Sequence, residues 1–195
     1  MKSGRLEAFS DGVLAIIITI MVLEMKAPED PSLEALVPIL PVFISYLISF
    51  IYLGIYWNNH HHLLQITEKV NGSVLWANLH LLFWLSLVPF VTSWVGENHL
   101  TAMPIVSYGT ILLMSSIAYR ILQIALMRCD PDNIHLKRMG SMTIKENVST
   151  LLYIAAIPLA FVSVWVSIAL YMVVAVIWVV PDKRVEKSLK DSQGN

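Results

Sequence analysis

Residues 9–20 read FSDGVLAIIITI, and they place the carboxylate of Asp11 at the start of an apolar run that stays uncharged up to Leu23. Four longer runs without Asp, Glu, Lys or Arg follow, at 35–67, 70–96, 98–119 and 147–181. Each of these four exceeds the roughly 20 residues that a helix needs to cross a bilayer. The chain of 195 residues is 56% apolar and 14% charged, against about 25% charged in soluble domains. The sequence therefore predicts an all-α integral membrane protein that contacts the lipid bilayer.

The last uncharged run is too long for one crossing. As a single helix, residues 147–181 would extend about 50 Å, whereas the hydrocarbon core of a bilayer is about 30 Å thick. Pro158, Ser163 and Ser167 lie inside this run, so we expect two short spans with a tight turn near Val162–Val166. The prediction is a six-helix transmembrane domain over residues 1–181, followed by a basic cytoplasmic tail over residues 182–195. The spans are expected at about 6–25, 36–60, 74–95, 102–127, 147–163 and 165–181.

Lysine and arginine are distributed unevenly between the two sides of the predicted membrane. Eleven of the 13 lie on the side of the N-terminus, Arg120 falls inside the fourth span, and only Lys26 lies on the opposite side. Because cytoplasmic loops carry an excess of Lys and Arg, this distribution predicts a multi-pass protein of the cell membrane with both termini in the cytoplasm. A signal peptide is disfavoured, since Glu7 and Asp11 interrupt the first apolar run and EMKAP (24–28) offers no small-residue cleavage site.

Four side chains share one stripe of the first predicted span. Ile16, Ile20 and Leu23 stand at i, i+4 and i+7, and Thr19 lies beside them. The stripe has two interpretations: it packs against a neighbouring helix, or it forms the wall of a pore whose branched apolar constriction gates by dewetting. Polar residues on this span favour an inner helix, because polar groups within a span usually face the bundle interior or a water-filled path.

Arg5 and Asp11, two charges near the start of the first span, need partners from other spans. Arg5 and Asp11 are six residues apart and point about 120° away from each other around the helix, so they cannot pair. In the second span, Trp57 and His61 are four residues apart and share a helix face. We expect one interhelical cluster near the cytoplasmic face, formed by Arg5, Ser10, Asp11, Trp57, His60 and Asn78.

Other motifs with a defined chemistry are missing from the sequence. It contains no G-x-S-x-G, H-E-x-x-H or phosphate-loop motif, so we expect no enzymatic activity, and it lacks the T-V-G-Y-G filter of potassium channels. His60, His61 and His62 diverge by about 100° per residue, whereas metal ligands on one helix stand three or four residues apart. We therefore predict no metal site, no cofactor and no nucleic-acid partner. The single cysteine, Cys129, cannot form a disulfide within the chain.

Three motifs together resemble the transmembrane protein 175 family, which includes endosomal and lysosomal potassium channels and their bacterial relatives. The family motif R-x-x-x-F-S-D is matched by Arg5, Phe9, Ser10 and Asp11, and WNNHH (57–61) and NLHLLFWLSLVPF (78–90) follow it. The resemblance covers the first three spans. It implies six helices per chain, assembly as a homotetramer, and a pore lined by the first helix of each chain.

The resemblance also implies roles for individual residues. The pore constriction would fall on Ile16, Ile20 and Leu23, with Thr19 as a contributor to selectivity. A hydrogen-bond network that holds the first three helices together would consist of Arg5, Phe9, Ser10, Asp11, Trp57, His60 and Asn78. The implied function is a channel for potassium ions, weakly selective over sodium, that has a hydrophobic constriction instead of a carbonyl filter.

Two other functions stay open. A proton-coupled secondary transporter would use the intramembrane groups His60, His80 and Asp11 as a proton relay. The sequence has no inverted repeat and no pair of broken helices in corresponding positions, which are features of such transporters. A membrane protein with a structural or interaction role is the third alternative.

Overall fold

The computed structural model describes residues 3–98, 100–140 and 144–179. In this part of the chain the backbone forms eight α-helices and one short 3-10 helix, Leu33–Ile39, which leads directly into α2. The α-helices are α1 (Gly4–Leu23), α2 (Leu40–Gln65), α3 (Gly72–Ser86), α4 (Val88–Glu97), α5 (Ala102–Cys129), α6 (Ile134–Gly140), α7 (Ile144–Leu159) and α8 (Val164–Val179). The all-α prediction is confirmed, and the predicted tail at 182–195 lies outside the described residues.

Among the described residues, four helical segments are long and apolar enough to cross a membrane. They are Gly4–Leu23, Leu33–Gln65, Gly72–Glu97 and Ala102–Cys129. Helices α7 and α8 have 16 residues each, which corresponds to about 24 Å against a hydrocarbon core of about 30 Å. The fifth and sixth crossings, and with them the count of six, therefore stay a prediction.

Pro89 divides the third apolar segment into two helices. A proline has no N–H to bond to the carbonyl four residues earlier, here that of Leu85. Helix α3 accordingly ends at Ser86 and α4 begins at Val88. The kink that the sequence predicts at Pro89, from the missing N–H of proline, is thus confirmed.

The turn between α7 and α8 lies earlier than the predicted position near Val162–Val166. Just after Pro158 the backbone tightens, because the N–H of Phe161 bonds to the carbonyl of Pro158 at 3.2 Å. The N–H of Val162 likewise bonds to the carbonyl of Leu159 at 3.0 Å, and α8 has already begun at Val164. These bonds span three residues instead of four, which ends the α-helix directly behind the proline.

Residues 128–146 separate the fourth and fifth predicted spans and are rich in charged side chains, which predicts a polar cytoplasmic loop, but the structure forms helix α6 within them. The side chain of Asn133 begins this helix, since its Oδ1 accepts hydrogen bonds from the backbone N–H groups of His135 and Leu136 at 3.0 and 3.1 Å. Its amide nitrogen donates to the carbonyl of Ile66 at 2.9 Å, which fastens α6 to the end of α2. The prediction of a loop was wrong because seven residues give too few turns for a periodic apolar pattern.

Helix α1 packs against α2, α3 and α4, while α5 packs against α3 and against the pair formed by α7 and α8. The backbones of α2 and α4 come close at Gly96, where a Cβ would lie 2.7 Å from the Cα of Val42. The hydroxyl of Ser49 on α2 is hydrogen-bonded to Thr92 on α4 at 2.7 Å and to Tyr108 on α5 at 2.9 Å. Close approach at small residues and interhelical hydrogen bonds are the contacts that hold helices together in lipid.

Candidate functional site

Helix α1 has a buried face and an exposed face. The buried residues recur every three or four positions: Leu6, Ser10, Leu14, Ile17 and Met21. On the other face, the side chain of Ile16 is 60% exposed, that of Ile20 is 40% exposed and that of Leu23 is 79% exposed. A helix that packs on three others and leaves branched apolar side chains uncovered must meet lipid or another protein surface there.

Thr19 lies on the exposed face with these three apolar residues, and its hydroxyl donates a hydrogen bond to the carbonyl of Ile16 at 2.9 Å. The structure thus brings together, on one open stripe, the four residues predicted for the pore. We call Ile16, Thr19, Ile20 and Leu23 the α1 stripe. In a single chain this stripe encloses nothing, so the roles in constriction and selectivity stay predictions.

A groove of about 700 Å³ separates the exposed edge of α1 from α4. Ile16 and Ile20 line it from α1, and Phe90 lines it from α4. Two carboxylates, Glu24 at the end of α1 and Glu97 at the end of α4, also line the groove. The groove therefore combines an apolar wall, which another chain could cover, with acidic groups at one end.

Three buried polar side chains join α1, α2 and α3 behind the exposed face. The amide nitrogen of Asn78 donates to Ser10 Oγ at 2.9 Å, and its Oδ1 accepts from His60 Nε2 at 2.7 Å. Ser10 Oγ donates in turn to the carbonyl of Leu6 at 2.8 Å. We call Ser10, His60 and Asn78 the bracket. Because its polar atoms are shielded from water, the bracket favours one position of α1 relative to α2 and α3.

A second link between α1 and α2 lies nearer the surface. The indole Nε1–H of Trp57 donates to Asp11 Oδ1 at 3.0 Å. The same indole stacks on the imidazole of His61, with ring centroids 5.7 Å apart and an angle of 18° between the planes. His61 Nδ1 lies 2.9 Å from Glu7 Oε1. Asp11 therefore has a partner on a neighbouring helix of its own chain.

Two predicted members of the hydrogen-bond network, Arg5 and Phe9, lie outside both links. Both side chains are exposed on α1, and Arg5 makes no hydrogen bond or ion pair with any residue that the structure describes. Within one chain the predicted cluster is thus divided into two separate groups, and neither contains Arg5 or Phe9. These two side chains are excluded because they project from the exposed side of α1. His80 is also separate, since its Nε2 accepts a hydrogen bond from Trp84 at 3.0 Å.

The pairing of Glu7 with His61 was not predicted from the sequence. A signal for it was available, because Glu7 and Asp11 are four residues apart on α1, as Trp57 and His61 are on α2. Once Asp11 contacts Trp57 between neighbouring helices that run in opposite directions, the next turn of each helix brings Glu7 beside His61.

Comparison with known proteins places this arrangement in a family. Residues 5–89 match the family described as endosomal/lysosomal potassium channel TMEM175. A relative from Chryseobacterium sp. (strain P1-3), named as a potassium channel, is 56% identical over 192 residues, which cover 98% of this chain and 100% of the relative. The chain belongs to the TMEM175 family. The family resemblance seen in three sequence motifs is thereby confirmed, and the chain is a multi-pass membrane protein.

The TMEM175 fold of the chain is also seen in a solved structure. The crystal structure of a lysosomal potassium-selective channel TMEM175 homologue from Chamaesiphon minutus has a TM-score of 0.77 at 28% identity, and the match covers 91% of this chain and 96% of that chain. A mouse relative named endosomal/lysosomal proton channel TMEM175 is 29% identical over 97 residues, which are 47% of this chain and 19% of the relative. The similarity to the mouse TMEM175 protein is therefore partial.

Proposed function

We propose that four copies of this chain assemble into a channel that conducts potassium ions, with α1 of each copy lining the pore. The observation that carries the proposal is the α1 stripe, an exposed apolar row on a helix whose other face packs against three neighbours. The Chryseobacterium relative is named as a potassium channel, and the Chamaesiphon homologue is described as potassium-selective. These names support the same activity for this chain.

A closed pore requires several copies, because a single chain contributes one pore helix. The surface that would meet a neighbour includes Phe90, which lines the groove beside the α1 stripe, and the exposed aromatic side chains Trp76 and Phe83 on α3. Contacts between two different surfaces of identical chains close into a ring when the rotation between copies fits. The number four comes from the family resemblance.

The proposed constriction would act by controlling water. Ile16, Ile20 and Leu23 carry aliphatic carbons, which cannot coordinate an ion, so a narrow neck of such side chains is a barrier when it is dry and a path when it is wet. Thr19 supplies the stripe with a hydroxyl oxygen, whose lone pairs stay available while its hydrogen is bonded to the Ile16 carbonyl. Discrimination between potassium and sodium would then rest on the cost of dehydration and on Thr19, and it would be weak.

Ion flux into liposomes tests this function directly. Vesicles with purified protein are loaded with potassium, diluted into sodium, and followed with a pH-sensitive dye and a protonophore that balances the exit of potassium. We expect a dye response that requires the protein and that becomes smaller when sodium replaces potassium inside. Vesicles that respond no better than protein-free vesicles would contradict the proposal.

The substitution Ile16→Asn tests the constriction in the same assay. A polar side chain should wet the neck, so we expect faster flux and a lower preference for potassium over sodium. Ile16→Val keeps a branched apolar side chain and is the matched control, with a preference close to that of the original protein. If the Ile16→Asn protein has unchanged flux and an unchanged preference for potassium over sodium, Ile16 is not part of the constriction.

Proton transport is the second candidate function, and the name of the mouse relative favours testing it. Omitting the protonophore from the assay leaves proton entry to the protein alone, so a response that persists would reveal proton conduction. A proton-coupled transporter would in addition need a pH gradient for potassium flux. The hydrogen bonds of His60 to Asn78 and of Asp11 to Trp57 favour fixed positions over a relay for these two groups.

A further inference from the structure

We propose that Glu7, Asp11 and His61 form a binding site for a divalent transition-metal ion such as Zn²⁺. Each residue offers one ligand atom, and these atoms lie within 4.8 Å of one another. Glu7 and Asp11 are four residues apart on α1, the spacing that puts two ligands on one helix face, and His61 comes from α2. This inference concerns a site in each single chain and does not depend on assembly or ion conduction.

The imidazole of His61 is held in position from two sides. Its ring stacks on Trp57, and its Nε2 lies 2.9 Å from the amide nitrogen of Gln65, one helical turn further along α2. Rotating this amide by 180° exchanges its nitrogen and oxygen at almost no change in shape, and its oxygen would then accept the proton of His61 Nε2. That tautomer leaves the lone pair of Nδ1 free for a metal, and such support of the second ring nitrogen is typical of histidine ligands.

The position of His61 Nδ1 provides the second observation. This atom is shielded from solvent and forms no hydrogen bond, although Glu7 Oε1 lies only 2.9 Å away. An ion bound between these two side chains would be coordinated by His61 Nδ1 and by a carboxylate oxygen of Glu7. Trp57 fixes one oxygen of Asp11 and leaves its other oxygen available.

The donor set determines the class of ion. Two carboxylates and one neutral imidazole carry a net charge of −2, which matches a dication. An imidazole ligand favours Zn²⁺ and similar transition metals, whereas Mg²⁺ and Ca²⁺ prefer sites made of oxygen. Three protein ligands leave at least one coordination position for water. Since Glu7 and His61 are each about one quarter to one third exposed, the ion can reach the site from solvent.

Calorimetric titration of the purified full chain with Zn²⁺ tests the proposal. We expect one Zn²⁺ per chain and an affinity that falls at least about tenfold in each of the variants Glu7→Gln and His61→Gln. His135→Gln, which removes a histidine from α6, is the control and should bind like the original protein. Gel filtration of every variant checks that the fold is retained.

Two results would overturn the site. The first is the absence of Zn²⁺ binding by the original chain, which would make Glu7 and His61 an ion pair only. The second is binding that both variants retain, which would place the ion elsewhere. Co²⁺ absorption gives a second readout, since the visible bands of a His/carboxylate site should appear with the original chain and the control and disappear in Glu7→Gln.

Discussion

At the scale of single residues, the polar side chains on the buried side of α1 are bonded to neighbouring helices of the same chain. Ser10 is bonded to Asn78, and Asp11 accepts from Trp57. A carboxylate at the start of the first apolar run is thus accounted for by a partner on α2. Because these bonds join the buried side of α1 to α2 and α3, we expect their loss to lower the stability of the folded chain.

Asn78→Ala tests the bracket. The substitution removes both hydrogen bonds of the amide, so that the buried His60 Nε2 loses its partner and Ser10 Oγ keeps only its bond to the carbonyl of Leu6. We expect the folded state to lose about 1–3 kcal/mol, seen as a lower thermal unfolding midpoint in detergent. Asn58→Ala is the control, because Asn58 forms none of the hydrogen bonds of the bracket. Equal midpoints for the two variants would contradict a stabilising role.

At the scale of elements, the packing of α2 against α4 depends on the absence of a side chain at Gly96. Replacing this glycine with alanine would place a methyl group 2.7 Å from the Cα of Val42, and a backbone atom of a packed helix cannot move aside alone. The same replacement at Gly54 in the middle of α2 meets nothing within 4 Å. The two glycines therefore form a matched pair.

We expect Gly96→Ala to destabilise the fold by about 1–3 kcal/mol through overpacking. Gly54→Ala should instead stabilise it by about 0.4–1 kcal/mol, since alanine restricts the unfolded chain and favours a helix. Thermal unfolding of both variants beside the original protein measures the difference. A Gly96→Ala protein that is as stable as Gly54→Ala would show that α2 and α4 do not pack closely at this point.

The elements differ in how far the sequence could predict them. The break at Pro89 follows from one missing N–H group and is local, so it was predictable. Helix α6 depends on the hydrogen bond from Asn133 to the end of α2. These residues are distant in the chain, so no local sequence pattern predicts the contact. The lengths of α7 and α8 were predictable only approximately, because hydropathy shows where lipid surrounds a helix and not where its last hydrogen bond lies.

At the scale of the site, the sequence predicted the residue types and part of the pairing. The spacing of Trp57 and His61 predicted a shared face, and the two rings are stacked. The division of the predicted cluster into two groups required the packing of three helices, as did the pairing of Glu7 with His61. Arg5 and Phe9 face away from their own chain, and one sequence cannot say which surface covers them.

At the scale of the whole molecule, the exposed α1 stripe and the groove beside α4 must meet lipid or another protein surface, and the proposed assembly would supply that surface. If four copies close around a pore, native mass spectrometry of the protein in detergent should give four times the chain mass of 22.0 kDa. Arg5→Ala should shift the distribution toward smaller species, because it removes the exposed guanidinium that would bond to the neighbouring chain. A protein that conducts potassium as a single chain would contradict the assembly.

In the proposed channel the exposed face of α1, and not its buried face, lines the ion path. Two neighbouring isoleucines separate these alternatives, since Ile16 is on the exposed face and Ile17 is 4% exposed on the other. In a Cys129→Ser background, Ile16→Cys and Ile17→Cys proteins would be treated with a small cationic thiol reagent during the potassium flux assay. We expect flux to fall in Ile16→Cys and to stay unchanged in Ile17→Cys. Unchanged flux in an Ile16→Cys protein that mass spectrometry shows to be labelled would show that this face does not line the ion path.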